Sequence, residues 1–298
     1  MTAQAESRAG LSAGFGAYFI WGLFPIYIKL LTGVPAADVL AHRILWSTVL
    51  LVALVTASRR WREVGRALAT PSTRLMLIGS ACFIGVNWLI YTWAVLNAHV
   101  LDTSLGYFIN PLISVLFGVV LLGERLSRAQ WAAVALAAGG VAIVTVARGA
   151  LPLISLALAF SFATYGLLRK RAPVDALSGL FTETLLLMPV VALWLAFQGT
   201  VFGDATRTDL LLMAGGVATT VPLLMFGWAA RRLRLSTIGL LQYVAPSMVF
   251  LLAVFVYREP LSLPQLAAFA LIWAGLALYV ADGWRRSRAA VPAAVKAG

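Results

Sequence analysis

PLISVLFGVVLLGERLSRAQ, residues 111–130, returns as PSMVFLLAVFVYREPLSLPQ at residues 246–265. The correspondence extends without a gap over residues 85–144 and 220–279, at a constant offset of 135. Trp93-Ala94 falls on Trp228-Ala229, Pro111 on Pro246, Glu124 on Glu259, Leu126-Ser127 on Leu261-Ser262, and Gln130 on Gln265. The Pro and the Glu are 13 residues apart in both copies. The chain is therefore a duplication, and each copy lies in a run of apolar segments. Duplicated halves that insert in opposite directions are a recurrent build of secondary transporters, with the substrate held between them near the midplane.

Composition supports a membrane setting. The 298 residues are 61% hydrophobic and 11% charged, with a mean hydropathy of +0.92, whereas a soluble domain carries about 25% charged residues. The 23 bases outnumber the 11 acids by 12. They sit in short segments between apolar runs, without the basic face or aromatic platform that nucleic-acid binding needs. The lone Cys82 excludes a disulfide within the chain. The run after Arg8 continues to Leu31 with no cleavage pattern, so the first span is expected to act as its own insertion signal.

A spanning helix needs about 20 mostly apolar residues. Ten such stretches are predicted, at 11–31, 38–57, 75–96, 101–122, 129–147, 151–168, 176–198, 209–230, 236–257 and 264–283. With the N-terminus in the cytoplasm, the inner segments carry 18 bases and the outer ones four, and Arg43 lies within a span. The positive-inside rule selects that orientation. Five spans per half is odd, so the second half enters from the other side. The expected fold is all-α and integral to the membrane, with ten transmembrane helices as two inverted five-helix repeats and both termini cytoplasmic. Residues 1–148 form the first repeat, and 149–298 form the second with a basic tail.

Several stretches carry a family resemblance: residues 18–25 (Tyr18 to Pro25), 42–47 (His42 to Ser47), 104–111 (Ser104 to Pro111), 122–125 and 232–237. Together they resemble the chloramphenicol-sensitive, RarD-type branch of the EamA carriers, in the drug/metabolite transporter superfamily. The resemblance runs over about residues 11–285. The paired Pro and Glu are shared across the superfamily, and the stretches at 42–47 and 104–111 are specific to the branch. The resemblance implies a permease of two inverted five-helix repeats in the bacterial inner (plasma) membrane. It also implies transport of small organic metabolites such as amino acids or drug-like compounds, usually outward.

Polar groups inside a span are costly and face the bundle interior, which makes each a functional candidate. Arg43 and Glu183 lie at similar depth in repeat-partner spans, and they can pair only if both reach the midplane. Each is a gating or coupling candidate, set against a structural charge that snorkels. A carboxylate is disfavoured in low dielectric, so Glu183 is the best candidate for proton coupling. Tyr18, Trp21, Pro25 and Lys29 share one helical face. Asn87 and Tyr91 in span three, Tyr107 and Asn110 in span four, and Gln242 and Tyr243 in span nine complete the expected substrate-binding lining. Pro111 and Pro246 are expected mid-span bends, serving either as hinges or as static kinks. Glu124 and Glu259 are read as structural, accepting backbone N–H groups that open the next helix. The run Ala137-Ala138-Gly139-Gly140, with Gly275 in the partner span, permits close helix contact, either internal or at a homodimer face.

The rival reading is a membrane-embedded enzyme acting on a lipid or apolar metabolite. The sequence has no His-Glu-x-x-His metal motif and no phosphate-cradling glycine loop, so no metal or other cofactor is expected. The partners expected are the bilayer, a small organic solute and a proton. Aromatic and amide lining suits an uncharged or zwitterionic organic solute.

Overall fold

Burial in this protein includes many polar side chains besides an apolar core, and leaves large aliphatic ones outside. Ser80, Asn87, Thr92, Thr103, Ser104 and Thr220 are wholly buried, while Val146, Phe197, Leu75, Val120 and Val190 are 66–82% exposed. Polar side chains turned inward and aliphatic ones outward are what a hydrocarbon solvent selects. The computed structural model describes residues 3–122, 126–230 and 241–295. Among these, six helices are long and apolar enough to cross a membrane, and 153–169, 244–256 and 263–275 are shorter apolar helices.

The helices in chain order are α1 (Ala3–Lys29), α2 (Ala36–Ala57), α3 (Trp61–Ala69), α4 (Pro71–Leu96), α5 (Val100–Leu122) and α6 (Arg128–Arg148). They continue with α7 (Leu153–Arg171), α8 (Ala176–Gln198), α9 (Thr206–Ala230), α10 (Val244–Leu251) and α11 (Leu263–Val295). A π-helical turn, Leu252–Val256, extends α10. The basic stretch between spans two and three is more than a connecting segment. The structure forms α3 there, with Val64 and Ala67 buried and the Trp61 ring 5.4 Å from that of Phe181 in α8.

Chain ends of helices are fixed by repeated devices. Ser127 Oγ accepts from Gln130 N, and Gln130 Oε1 accepts from Ser127 N, a reciprocal cap at the start of α6. Ser262 and Gln265, 135 residues on, do the same at the start of α11. Asp175 caps α8 by accepting from Leu177 N and Ser178 N. Each such cap satisfies orphan donors and is worth about 1 kcal/mol.

Packing brings repeat mates together. Phe108 in α5 stacks on Tyr243, its own mate, with centroids 6.3 Å apart, and Ser104 Oγ donates to Pro246 O at 2.9 Å. A Cβ at Gly140 would meet Ala268 O at 3.0 Å, and one at Gly275 would meet Ala133 O at 2.8 Å. The residues 133 and 268, like 140 and 275, differ by 135. The contact is thus exchanged between mates, and α6 and α11 run antiparallel. The small-residue run therefore serves an internal helix contact.

Glu259 is a carboxylate cap, but not of the helix that follows it. Its Oε1 and Oε2 accept from Val100 N and Leu101 N at 2.9 and 2.8 Å, at the start of α5. The π turn and the positive φ of Arg258 (52°) bend the chain back to bring it there. Pro246 was expected in mid-span; it stands in the first turn of α10, where a missing N–H breaks no helical bond. Helix α5 continues through Pro111. Glu124 lies outside the described residues.

Candidate functional site

Arg43, the eighth residue of α2, is 3% exposed. Its Nε donates to Thr219 Oγ1 of α9 and its Nη1 to Thr92 Oγ1 of α4, each at 3.1 Å. The guanidinium carbon lies 4.7 Å from the Phe24 ring centroid and 5.4 Å from that of Trp88. Four helices therefore converge on one cation. Space for it comes from Gly215 in α9: a Cβ there would lie 2.9 Å from Arg43 Cγ and 2.5 Å from Tyr27 Oη. The Gly215-Gly216 pair was the available sequence signal for this close approach. Among the described residues no carboxylate pairs with Arg43.

Aromatic contacts extend this cluster. The Tyr91 ring lies 6.1 Å from Phe24 and 5.8 Å from Tyr107, and Tyr107 meets Phe162 edge to face at 5.9 Å. Tyr107 Oη donates to Asn87 Oδ1 at 3.1 Å. Asn87 in turn donates to Leu158 O and Ser161 Oγ of α7, at 3.0 and 2.9 Å. Asn87 is thus a satisfied buried amide that ties α4 and α5 to α7. Asn110 is 3% exposed, and its Oδ1 has no partner among the described residues.

The remaining expected lining is distributed elsewhere. Tyr18 and Trp21 form an aromatic trio with Phe226 of α9, with centroids 5.3–5.9 Å apart. Gln242 and Tyr243 are half-buried in the turn before α10, where Tyr243 faces Phe108.

Glu183 makes a second polar centre. It is 1% exposed, accepts from Ser80 Oγ at 2.6 Å and from Tyr165 Oη at 3.4 Å, and pairs with Arg169 Nε at 3.4 Å. Arg169 also donates to Asp175 O at 3.3 Å, and Gly179 leaves room for its guanidinium. Asp175 continues outward to Arg60 at 2.6 Å, and Glu63 accepts from Ser178 Oγ at 3.1 Å. In the sequence Arg169 counts only among the bases of the inner segments, and no local pattern points to its pairing with Glu183. Glu183 and Arg43 do not pair with each other. Their respective partners on α4, Ser80 and Thr92, are twelve residues apart, or about 18 Å along the helix.

The profile of the EamA-like transporter family matches this chain twice, over residues 8–146 and 150–281. The chain belongs to the EamA-like transporter family. Among relatives of this EamA-like chain, protein RarD of Salmonella typhi is 49% identical over 282 residues, covering 93% of the chain and 96% of that protein. An uncharacterized transporter of Vibrio cholerae is 47% identical over 292 residues, covering 96% and 97%. The chloramphenicol-sensitive protein RarD of Pseudomonas aeruginosa is 34% identical over 289 residues, covering 95% and 96%. A solved crystal structure at 22% identity matches the fold with a TM-score of 0.63, over 93% of this chain and 98% of that one. The EamA-like chain is a membrane transporter and a multi-pass protein of the bacterial inner membrane.

Proposed function

We propose that this transporter is a secondary carrier of small organic metabolites, such as amino acids or drug-like compounds, working by alternating access of two inverted five-helix halves. The halves are residues 1–148 and 149–298, ten spans in all, with both termini in the cytoplasm. The observation that carries this reading is a polar, aromatic centre built by both halves. Thr92 of the first half and Thr219 of the second bond one guanidinium. The paired family matches and the antiparallel contacts between repeat mates support the inverted arrangement. The bias of bases toward one set of connecting segments supports the orientation.

In this reading Tyr91, Tyr107, Asn87 and Asn110 belong to the substrate chamber, and Tyr18, Trp21, Gln242 and Tyr243 line the routes into it. Glu183 couples transport to a proton. Pro111 and Pro246 flank the segments that move as the halves rock. Glu124 stands where Glu259 does in the other repeat, as a structural carboxylate, and the outer surfaces of α6 and α11 are available to a homodimer.

The test is release from liposomes loaded with a labelled mixture of amino acids and related metabolites, with and without a pH gradient. Selective release from folded protein supports the carrier, and release that grows with the gradient supports proton coupling. No release of any solute sinks the carrier reading. A Glu183→Gln protein whose transport keeps the wild-type pH dependence removes the proton role.

A further inference from the structure

Resting on the carrier reading, we propose that Arg43 is the docking point for the free carboxylate of the transported solute. A guanidinium has five N–H donors in a planar fork. In this structure Nε and one Nη1 hydrogen are used, on Thr219 and Thr92. Three N–H groups, both of those on Nη2 included, have no partner among the described residues. The residue is 3% exposed, so little bulk water reaches the fork. Burying a charge without a counter-ion is costly. Cation–π contacts at Phe24 and Trp88 offset part of that cost but supply no acceptor for the free N–H groups.

The same molecule neutralises Arg169 with Glu183. The lack of a described acid at Arg43 is therefore not a general habit of this fold. A solute carboxylate meets the need, because its two oxygens match the free edge of the fork.

The surroundings narrow the class further. Among the described residues no second cation shares the contacts of Arg43, which disfavours a dianion such as phosphate. Phe24 and Trp88 pack against the guanidinium, and Tyr91 and Tyr107 lie beside them, so the surroundings of the fork are aromatic. The class assigned is a monocarboxylate with an apolar or aromatic body, including a zwitterionic amino acid of that kind. Thr92 and Thr219 are positioning residues that hold the fork from two helices of opposite halves. Movement of α4 against α9 would then change how the carboxylate is held, which links recognition to the rocking of the halves.

The experiment is calorimetric titration of the purified full-length protein in detergent with matched pairs. The carboxylates are phenylalanine, phenylacetate and hexanoate, and their partners are phenylalaninamide, phenylacetamide and hexanamide. The expected result is binding by at least one carboxylate and loss of that binding in its amide. Arg43→Gln should weaken the bound carboxylate on the order of tenfold or more and leave the amides unchanged. Binding of no carboxylate, or of acid and amide equally, overturns the proposal. So does an Arg43→Gln protein of unchanged affinity. If Arg43→Gln does not fold, Arg43→Lys is read instead: it keeps the charge but not the fork. Weaker carboxylate binding with the acid still preferred supports the proposal, and unchanged affinity overturns it. Liposome flux separates the two readings. Equal passage of acids and amides defeats the carboxylate site and leaves the carrier standing. Carboxylate binding without flux of any solute does the reverse.

Discussion

Arg169 and Arg43 are held by the same bundle in opposite electrostatic conditions. Arg169 has an acid, Glu183, within 3.4 Å and sits in a chain of charges that runs through Asp175 to Arg60. Arg43 has two hydroxyls and two aromatic rings, and no acid among the described residues. Both are polar centres reached from α4, through Ser80 and Thr92, which lie about 18 Å apart along that helix. The difference teaches how to read buried charge in a carrier. A charge already neutralised by its own chain supports structure or couples to protons. A charge left without its counter-ion is prepared for something that arrives.

The largest effect expected from this contrast is on stability. Glu183→Ala strands Arg169 and should cost about 3–5 kcal/mol, whereas the double change with Arg169→Met should recover most of it. Denaturant unfolding in detergent measures both. If the double variant is no better than the single, the pair is not what holds this region. The next effect is on transport. Arg43→Gln should reduce flux of a carboxylate solute on the order of tenfold without the destabilisation of Glu183→Ala, since it removes an uncompensated buried charge and strands no acid. Unfolding as severe as that of Glu183→Ala would erase the contrast.

Glu259→Ala supplies a control, an acid that among the described residues holds only backbone N–H groups. Its loss should cost about 1–2 kcal/mol by uncapping α5, less than the loss of Glu183. The smallest effect is a pH dependence at the outer end of the charge chain. Burial pushes the Asp175 carboxyl up. The Glu63 and Ser178 side chains, the Ser178 N–H and the Arg60 charge outweigh it, and hold the carboxyl at about 2 against an ordinary 3.8. A depressed carboxyl stabilises the fold above its unfolded value and loses that contribution as pH falls through the folded one. The melting gap between wild type and Asp175→Asn should therefore be constant from pH 7 to about 4 and close toward pH 2. A gap that closes near neutral pH would assign the effect to another group.

The duplication was legible because spacing survives in sequence. Trp93 with Trp228 and Pro111 with Pro246 give the offset at which Phe108 meets Tyr243, and by which the Gly140–Ala268 contact recurs as Gly275–Ala133. Membrane helices were legible because length and hydropathy are local. The amphipathic spacing of Trp61, Val64 and Leu68 could have revealed α3, but the basic residues around it were read only as orientation signals. Ser-x-x-Gln at 127–130 and 262–265 likewise carried a capping signal beyond its value as a repeat. Pairings across helices were not legible. Nothing near Glu183 in sequence selects Arg169, and nothing near Asn87 says that Leu158 and Ser161 already satisfy it. Such partners are chosen by packing directions that a linear pattern does not encode.

The cap that Glu259 places on α5 has a consequence for biosynthesis. Val100 and its acceptor are 159 residues apart. At synthesis rates of about 5–20 residues per second, α5 waits roughly 8–30 s before the carboxylate that closes its first turn has been made. During that interval its leading amides need a temporary acceptor, such as water in the insertion machinery or lipid headgroups. The final placement of α5 is thus a late event, although the helix is synthesised early, and a ribosome stalled before residue 259 would leave the first half in the membrane with that end unfinished.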